Sequence, residues 1–155
     1  MPAPERTQRD LSGLLNAAGH TLNNRLAAEL ADIDLTPRMQ CVLLHALEEE
    51  RTQIQLAALS FMDKTTMVST VDALEERGLA ERRPSATDRR ARIIAVTEKG
   101  RRVAEDGQRI VDRVHGDALA GVDESRRESF IELLSGLAGA EPWPGPQPIR
   151  RARNR

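Results

Sequence analysis

Hydroxyl side chains and one lysine lie together near the middle of the chain, at Lys64, Thr65, Thr66, Ser69 and Thr70. Short hydroxyl side chains at the start of a helix suit the DNA major groove, because they approach closely, bond to phosphates or base edges and present methyl groups to thymine. A lysine and the positive end of a helix both favour a phosphate at the same place. These residue types favour a contact with duplex DNA; the alternative interpretation is a solvated helix face in a generic bundle.

A cluster of arginines follows further along the chain. Six arginines stand against two acidic residues between positions 77 and 92, and Asp88, Arg89 and Arg90 fall at the predicted tip of a hairpin. Guanidinium groups on a narrow tip can enter the minor groove, where A·T tracts deepen the negative potential. Asp88 has the same sign as a phosphate, so we expect it to orient Arg90 through a charge-assisted pair. The alternative is a solvated charge run, and a preceding pair of short helices makes the groove interpretation the stronger one.

A thiol and an imidazole four residues apart form the third candidate group. Cys41 and His45 share one face of a predicted helix. A protonated imidazole lowers the pKa of a neighbouring thiol, so this pair is a candidate oxidant sensor, effector contact or half of a metal site. Isolated cysteines are more often packing residues, and that interpretation is favoured here.

Helices must position most of these groups. Apolar residues at steps of three or four predict a long helix over about residues 8–33 and a second that begins at Thr36-Pro37 and runs to about Glu49. A capping box of Thr52 and Gln55 opens a short third helix that ends near Ser60. A fourth helix starts after Asp63, an N-cap residue, and ends at Gly78, which suits a left-handed conformation. The third and fourth helices make a helix-turn-helix, with the hydroxyl residues on its second helix.

The rest of the chain predicts a hairpin and two more helices. Strand candidates over 79–83 and 92–96 flank a cluster of turn formers, and Thr97 caps a fifth helix. A second capping box, Ser125 to Glu128, opens a sixth helix. The fold class is therefore mainly α with a small β-hairpin, a winged helix-turn-helix whose outer helices have apolar stripes large enough to be covered by a second copy of the chain.

Composition limits the functional classes. The net charge of -1 conceals a basic cluster at 77–92 and four arginines after position 149, so the remainder of the chain carries -9. Aromatic residues make up 2% of the chain, which argues against stacking platforms for single strands. A single cysteine cannot form an internal disulfide, and the chain has no signal-like or membrane-spanning apolar run, so a reducing cytoplasm is the expected location.

The sequence resembles the multiple antibiotic resistance regulator (MarR) family. The resemblance covers about Leu11 to Leu137 and rests on Leu35-Thr36, on the run TQIQLAALSFMDKTTMVSTVDALEERGLAER from Thr52, and on DRRARIIAVTEKG from Asp88. It implies a homodimer built from the first, fifth and sixth helices, which binds a pseudo-palindromic duplex and controls transcription. Family members are usually repressors that a small amphipathic molecule or an oxidant releases from DNA.

The resemblance also assigns residues by position. Lys64, Thr65, Thr66, Ser69 and Thr70 match the major-groove readers, and Asp88 with Arg90 matches the Asp-x-Arg pair of the wing. The chain departs from the family at Val68, where a threonine is frequent, and at Ser69 and Ala73, where basic residues are frequent. These changes remove long bidentate donors for guanine, so base specificity is expected to depend more on the wing and on DNA shape.

The whole chain, 1–155, is thus predicted to be one unit of this family. A DNA-binding lobe is expected over about 36–100, dimerisation helices over about 8–33 and 101–139, and a disordered tail rich in proline and arginine over 141–155. Sequence signals of an enzyme are missing, and no cofactor or metal site is expected. The remaining alternatives are a constitutive regulator or an activator without an effector and, more remotely, a winged helix used for protein contacts.

Overall fold

The structure is a computed structural model that describes residues 10–86, 88 and 91–139. Its helices are α1 (Leu11–Leu30), α2 (Pro37–Glu48), α3 (Gln53–Leu59), α4 (Lys64–Glu76), α5 (Glu98–Ala118) and α6 (Glu124–Gly139), with a 3-10 turn at Ala31–Ile33 after α1. Strands β1 (Ala80–Pro84) and β2 (Arg92–Val96) form an antiparallel pair between α4 and α5. The element order matches the predicted winged helix-turn-helix.

The chain divides after Ala118 into two compact units. In the first unit α1 and α2 pack against α5, and α2 also packs against α4. Its core is a continuous apolar cluster, whose fully buried large members are Leu30, Val42, Leu43, Leu56, Met67, Val71, Leu74, Ile94 and Val114. The second unit contains α6, whose Phe130, Ile131, Leu133 and Leu137 are exposed in the single chain. The domain boundaries expected from the sequence stay a prediction.

Side-chain caps start the helices of the first unit. Thr36 accepts a hydrogen bond from the backbone N–H of Met39, and Thr52 and Gln55 form the expected capping box. Asp63 caps α4, and Thr97 Oγ1 accepts from the N–H of Gly100 in the first turn of α5. These predicted starts are confirmed, because each cap is a short oxygen acceptor placed just before a helix with orphan N–H groups.

Two details of the prediction were wrong. The sixth helix does not open with a capping box at Ser125: the Oδ1 of Asp123 accepts from the N–H of Arg126 at 3.1 Å, and the helix begins at Glu124. Aspartate caps a helix as well as serine does, and it comes first along the chain. Pro84, expected in the turn, is instead the last residue of β1 and lies opposite Arg92, in the strand pair next to the turn.

Three left-handed residues end helical segments in the same way. After α4, the N–H of Gly78 bonds to Glu75 and that of Leu79 to Leu74, and Gly78 has a φ of 66°. This is the Schellman arrangement, in which glycine is the usual residue. Asp34 after the 3-10 turn (φ of 57°) and Phe61 after α3 (φ of 51°) have positive φ values too. For Phe61 the N–H groups of Phe61 and Met62 bond to Ala58 and Ala57, so a bulky aromatic residue occupies the glycine position.

Candidate nucleic-acid interface

The start of α4 presents a polar face. The Oδ1 of Asp63 accepts from the N–H of Thr66 at 2.9 Å, and its Oδ2 accepts from the hydroxyl of the same residue at 2.6 Å. These hydrogen bonds, that of the Thr66 hydroxyl above all, lower the pKa of the Asp63 carboxyl. Lys64, Thr65 and Ser69 are exposed. The predicted reader positions therefore begin on a fixed helix end, with three of the side chains open to a ligand.

Two of the five predicted readers are less accessible. Thr66 is half-buried and bonded to Asp63, while Thr70 is buried, 7% exposed, and its hydroxyl donates to the Thr66 carbonyl at 2.7 Å. The helical wheel explains Thr70, because it lies three residues after buried Met67 and four before buried Leu74. Of the five predicted readers, Lys64, Thr65 and Ser69 are therefore exposed, Thr66 is half-buried and Thr70 is buried.

The wing is attached to the helix-turn-helix through β2. Thr52 forms an isolated antiparallel bridge with Ile93, and the N–H of Ile94 donates to the carbonyl of Arg51 at 3.0 Å. Thr52 is also the N-cap of α3, so β2 and the first helix of the helix-turn-helix share one anchoring segment. The sequence does not predict this bridge, since a pattern of two residues is too short to indicate a strand.

The tip of the wing is described in part. The N–H of Asp88 donates to the Oγ of Ser85 at 3.4 Å and its carbonyl accepts from Ala91 at 2.9 Å, so Asp88 is exposed within a turn. Arg89 and Arg90 lie outside the described residues. The proposed pairing of Asp88 with Arg90 stays a prediction.

Much of the arginine cluster is paired with carboxylates. Arg77 forms a two-point ion pair with Asp34, and this guanidinium lowers the pKa of the Asp34 carboxyl. Arg82 bonds to Asp72 and Glu75 on α4, and Arg83 pairs with Glu81 beside it. The positive charge available to a polyanion is therefore smaller than a count of arginines indicates. Spacing alone did not reveal this, because Asp34 lies 43 residues before its partner.

Cys41 and His45 have different surroundings. The Cys41 thiol lies 3.6 Å from the Ser60 hydroxyl, whereas the His45 Nδ1 lies 3.3 Å from the Glu48 carboxylate. Cys41 lines a cavity of about 530 Å³ bounded by α1, the start of α2 and the turn before α4. Asn23, Asn24, Ala27, Thr36, Pro37, Arg38, Ser60, Phe61 and Met62 complete its lining. The geometry thus makes Cys41 a cavity residue and His45 the partner of an exposed carboxylate.

Residues 10–86, 88 and 91–139 contain neither a metal-binding cluster nor a membrane-spanning helix. No three histidine, cysteine, aspartate or glutamate side chains converge there in a way that would hold a metal ion. No helix of these residues has the length and apolar character needed to cross a membrane.

Comparison with known proteins gives the family. The model of the MarR family matches residues 33–91. The solved structure of a transcriptional regulator of the MarR family from Rhodococcus sp. RHA1 is 31% identical over 87% of this chain and 96% of its own, with a TM-score of 0.80. The chain belongs to the MarR family. The family resemblance inferred from the sequence is confirmed, and the winged helix-turn-helix fold with it.

Two structures of CouR extend the comparison. CouR from Rhodococcus jostii RHA1, solved with p-coumaroyl-CoA bound, is 30% identical over 90% of this chain and 99% of its own, with a TM-score of 0.80. A second structure, of the transcriptional repressor CouR bound to a 23-mer DNA duplex, is 27% identical over 88% of this chain and 99% of its own, with a TM-score of 0.73. These MarR-family relatives are transcription regulators, not enzymes.

Proposed function

We propose that this MarR-family chain is a homodimeric repressor that binds a pseudo-palindromic operator with α4 in the major groove and the wing beside it. The observation that carries the proposal is the capped, exposed start of α4, with Lys64, Thr65 and Ser69 outward, in a fold shared with a repressor solved on a DNA duplex. Exposed apolar residues on α1 and α6 supply surfaces for a second copy: Leu11, Leu14, Leu15, Phe130, Ile131, Leu133 and Leu137.

Binding to duplex DNA across a salt series tests this proposal. Two-fold symmetry places the recognition helices in successive major grooves, about 10 base pairs apart. Phosphate contacts release counterions, so the logarithm of the affinity is expected to fall steeply and linearly with the logarithm of the salt concentration. Selection from a random-sequence duplex library should enrich an inverted repeat. A library that enriches nothing, or binding that salt does not weaken, would contradict DNA recognition and favour a winged helix used for protein contacts.

Arg90 tests the wing separately. Arg90→Ala should weaken operator binding strongly while the dimer stays intact, because a guanidinium at the tip contacts the minor groove in this proposal. Size-exclusion chromatography checks the dimer, and a binding titration checks the affinity. Unchanged affinity would remove the wing tip from the DNA interface and leave α4 as the contact.

We further propose that the cavity beside Cys41 receives an effector that releases the operator. About 530 Å³ lies within the range of small-molecule sites, and the lining combines amides, one arginine, a thiol and apolar side chains. The cavity touches α1, α2 and the turn that leads into α4, so its occupancy can favour one spacing of the recognition helices over another. Because CouR was solved with p-coumaroyl-CoA, aromatic acyl thioesters are the first class to test.

Release of operator by added compounds decides between an effector and oxidation. An aromatic acyl thioester, the corresponding free acid and hydrogen peroxide are each added to the preformed complex, with wild-type protein and with Cys41→Ser. Release by peroxide that the serine variant abolishes indicates a redox switch, while release by the thioester in both proteins indicates ligand control. If none of the three compounds releases the operator, the protein is a constitutive regulator. If the bound protein activates transcription, it is an activator and not a repressor.

A further inference from the structure

A cluster of charged and polar side chains centres on Arg82 of β1, outside the cavity. Its guanidinium bonds through Nη2 to the Oδ1 of Asp72 at 2.6 Å and through Nη1 to the Oε2 of Glu75. Its Nε and Nη2 both lie 3.3 Å from the Oε1 of Gln53. The backbone N–H of Arg82 donates to the other oxygen of Glu75 at 2.7 Å. One side chain thereby connects α3 and α4 of the helix-turn-helix with β1 of the wing.

The exposure of this cluster separates it from an ordinary surface ion pair. The Arg82 side chain is 28% exposed and that of Glu75 33%, so much of the Glu75 pair is shielded from solvent. All three guanidinium nitrogens donate to a carboxylate or amide oxygen, in four hydrogen bonds. The planar fork matches this arrangement in a way that a lysine ammonium cannot. Arg82 is therefore occupied inside the protein and not free to bind a phosphate.

The position of the acidic partners on α4 makes the arrangement informative. Asp72 lies seven residues after Thr65 and three after Ser69, so it shares the face that carries the predicted groove readers. A carboxylate on that face repels DNA phosphates. The recognition helix therefore carries acidic residues that oppose its own ligand unless a cation from the wing engages them.

We propose that Arg82 is a positioning residue, which holds the wing at a fixed angle to α4 and neutralises the carboxylates of Asp72 and Glu75 on the DNA-facing helix. The inference rests on the proposed DNA-binding function and adds a residue that acts without touching DNA. Arg82 sets the geometry with which Lys64, Thr65, Ser69 and the wing tip meet one duplex.

The charge-removing variants Asp72→Asn and Glu75→Gln test whether the two carboxylates support or oppose DNA binding. If the carboxylates merely repelled phosphates, removing one would tighten DNA binding. In this proposal they orient Arg82, so each variant should bind a duplex selected by the wild-type protein about tenfold more weakly, the loss expected when a charge-assisted hydrogen bond is removed. Tighter binding by both variants would overturn the proposal.

Substitutions of the arginine itself separate positioning from direct contact. Arg82→Met keeps the length of the stem, and Arg82→Lys keeps the charge without the fork. Both should lose affinity, and Arg82→Met should lose more because it also leaves the two carboxylates without a neutralising charge. The slope of affinity against salt should stay unchanged in both variants, because no phosphate contact is removed. Arg83→Met is the matched control: it removes the same charge from the neighbouring residue, whose side chain is 61% exposed and paired with Glu81. Wild-type affinity in Arg82→Lys, or a salt slope reduced by about one phosphate in Arg82→Met, would overturn the proposal.

Hydrogen exchange of the dimer without DNA distinguishes a failure of the positioning role of Arg82 from a failure of the proposed DNA-binding function. In Arg82→Met the amides of β1 and β2 should exchange faster than in wild type and in Arg83→Met, at a temperature well below the melting point of each variant. Faster exchange with unchanged DNA affinity would make Arg82 a stability residue and overturn the positioning role, while DNA binding by wild type would still stand. If wild type selects no duplex, both the proposed function and this role fail.

Discussion

Phe61 is the residue whose conformation is hardest to explain by stability alone. A bulky residue in the left-handed region costs about 1–2 kcal/mol, yet Phe61 occupies the glycine position of a Schellman motif and is 83% exposed. It also lines the cavity beside Cys41. An outlier of this kind supports a functional hypothesis, here that the ring stacks on the effector.

Two substitutions of Phe61 separate its conformation from its ring. Phe61→Asn and Phe61→Ala both remove the ring, but asparagine tolerates a positive φ and alanine does not. We expect Phe61→Asn to unfold with a free energy roughly 1 kcal/mol higher than Phe61→Ala. Both variants should need more effector than wild type for operator release. Equal stability of the two variants, measured by denaturant titration, would contradict the strain, and an unchanged effector response would exclude the ring from the site.

Asp63 gives the start of the recognition helix a defined pH dependence. Its carboxyl pKa is lowered from the ordinary value of 3.8, chiefly by the hydrogen bond from the Thr66 hydroxyl. A lowered pKa in the folded state means that the stabilisation is complete above the ordinary value and is lost as the pH falls through the lowered one. Asparagine caps a helix without ionising. Between about pH 5 and about pH 3, the melting temperature of Asp63→Asn should therefore fall less than that of wild type.

The comparison of wild type with Asp63→Asn isolates the contribution of the Asp63 carboxyl to the pH dependence. Asp34 and Glu48 also have lowered carboxyl pKa values, the first held down by Arg77 and the second by hydrogen bonds from Arg51 and His45. Both groups are present in wild type and in the variant, so their contributions cancel in the difference. If the melting temperatures of both proteins fall equally across this pH range, the charge of Asp63 contributes nothing to the cap.

At the scale of elements, α5 meets the residue before β1 through a glycine. A Cβ atom on Gly100 would lie 1.9 Å from the carbonyl oxygen of Leu79, which is backbone and cannot rotate away. Gly100→Ala should therefore lower the free energy of unfolding by about 1–3 kcal/mol, the usual cost of overpacking. Gly116 lies on the same helix with open space around it. Gly116→Ala should raise the free energy of unfolding by about 0.5–1 kcal/mol. The measurement is the denaturant midpoint of each variant, with an unchanged denaturant slope. Midpoints that shift in the same direction in Gly100→Ala and Gly116→Ala would contradict the packing argument.

The sequence predicts helix boundaries well where a capping residue marks the end of the helix. Thr36-Pro37, the Thr52 capping box, Asp63 and Gly78 fixed helix boundaries in the sequence, and the structure confirms each of them. At Ser125 two short polar residues competed for one cap, and the earlier of them, Asp123, forms it. Side-chain pairing was much less predictable, because the partners of Arg77 and the bridge between Thr52 and Ile93 depend on tertiary packing and not on sequence spacing.

At the scale of the whole molecule, the exposed apolar residues predict that the folded unit contains two chains. Leu133 is 69% exposed on α6, close in sequence to Phe130 and Leu137 on the same apolar stripe. Leu133→Glu should convert the dimer to a monomer and abolish tight operator binding, because a charge cannot be buried unpaired in an apolar interface. Ser135→Glu adds the same charge at an exposed position outside that stripe. Sedimentation velocity should find a monomer for the first variant and a dimer for the second. A dimer in both would exclude Leu133 from the interface.

The two hydroxyls that donate to the Thr66 carbonyl bear on the base composition of the operator. Ser69 donates at 3.0 Å and Thr70 at 2.7 Å, so the proton of the outward-facing Ser69 hydroxyl points back into the helix. In the proposed DNA complex the Ser69 oxygen presents its lone pairs to the groove, and lone pairs accept from the amino groups of adenine and cytosine, not from the O6 and N7 acceptors of guanine. At the bases opposite Ser69, methylation of guanine N7 should therefore leave binding unimpaired, while loss of an exocyclic amino group should weaken it.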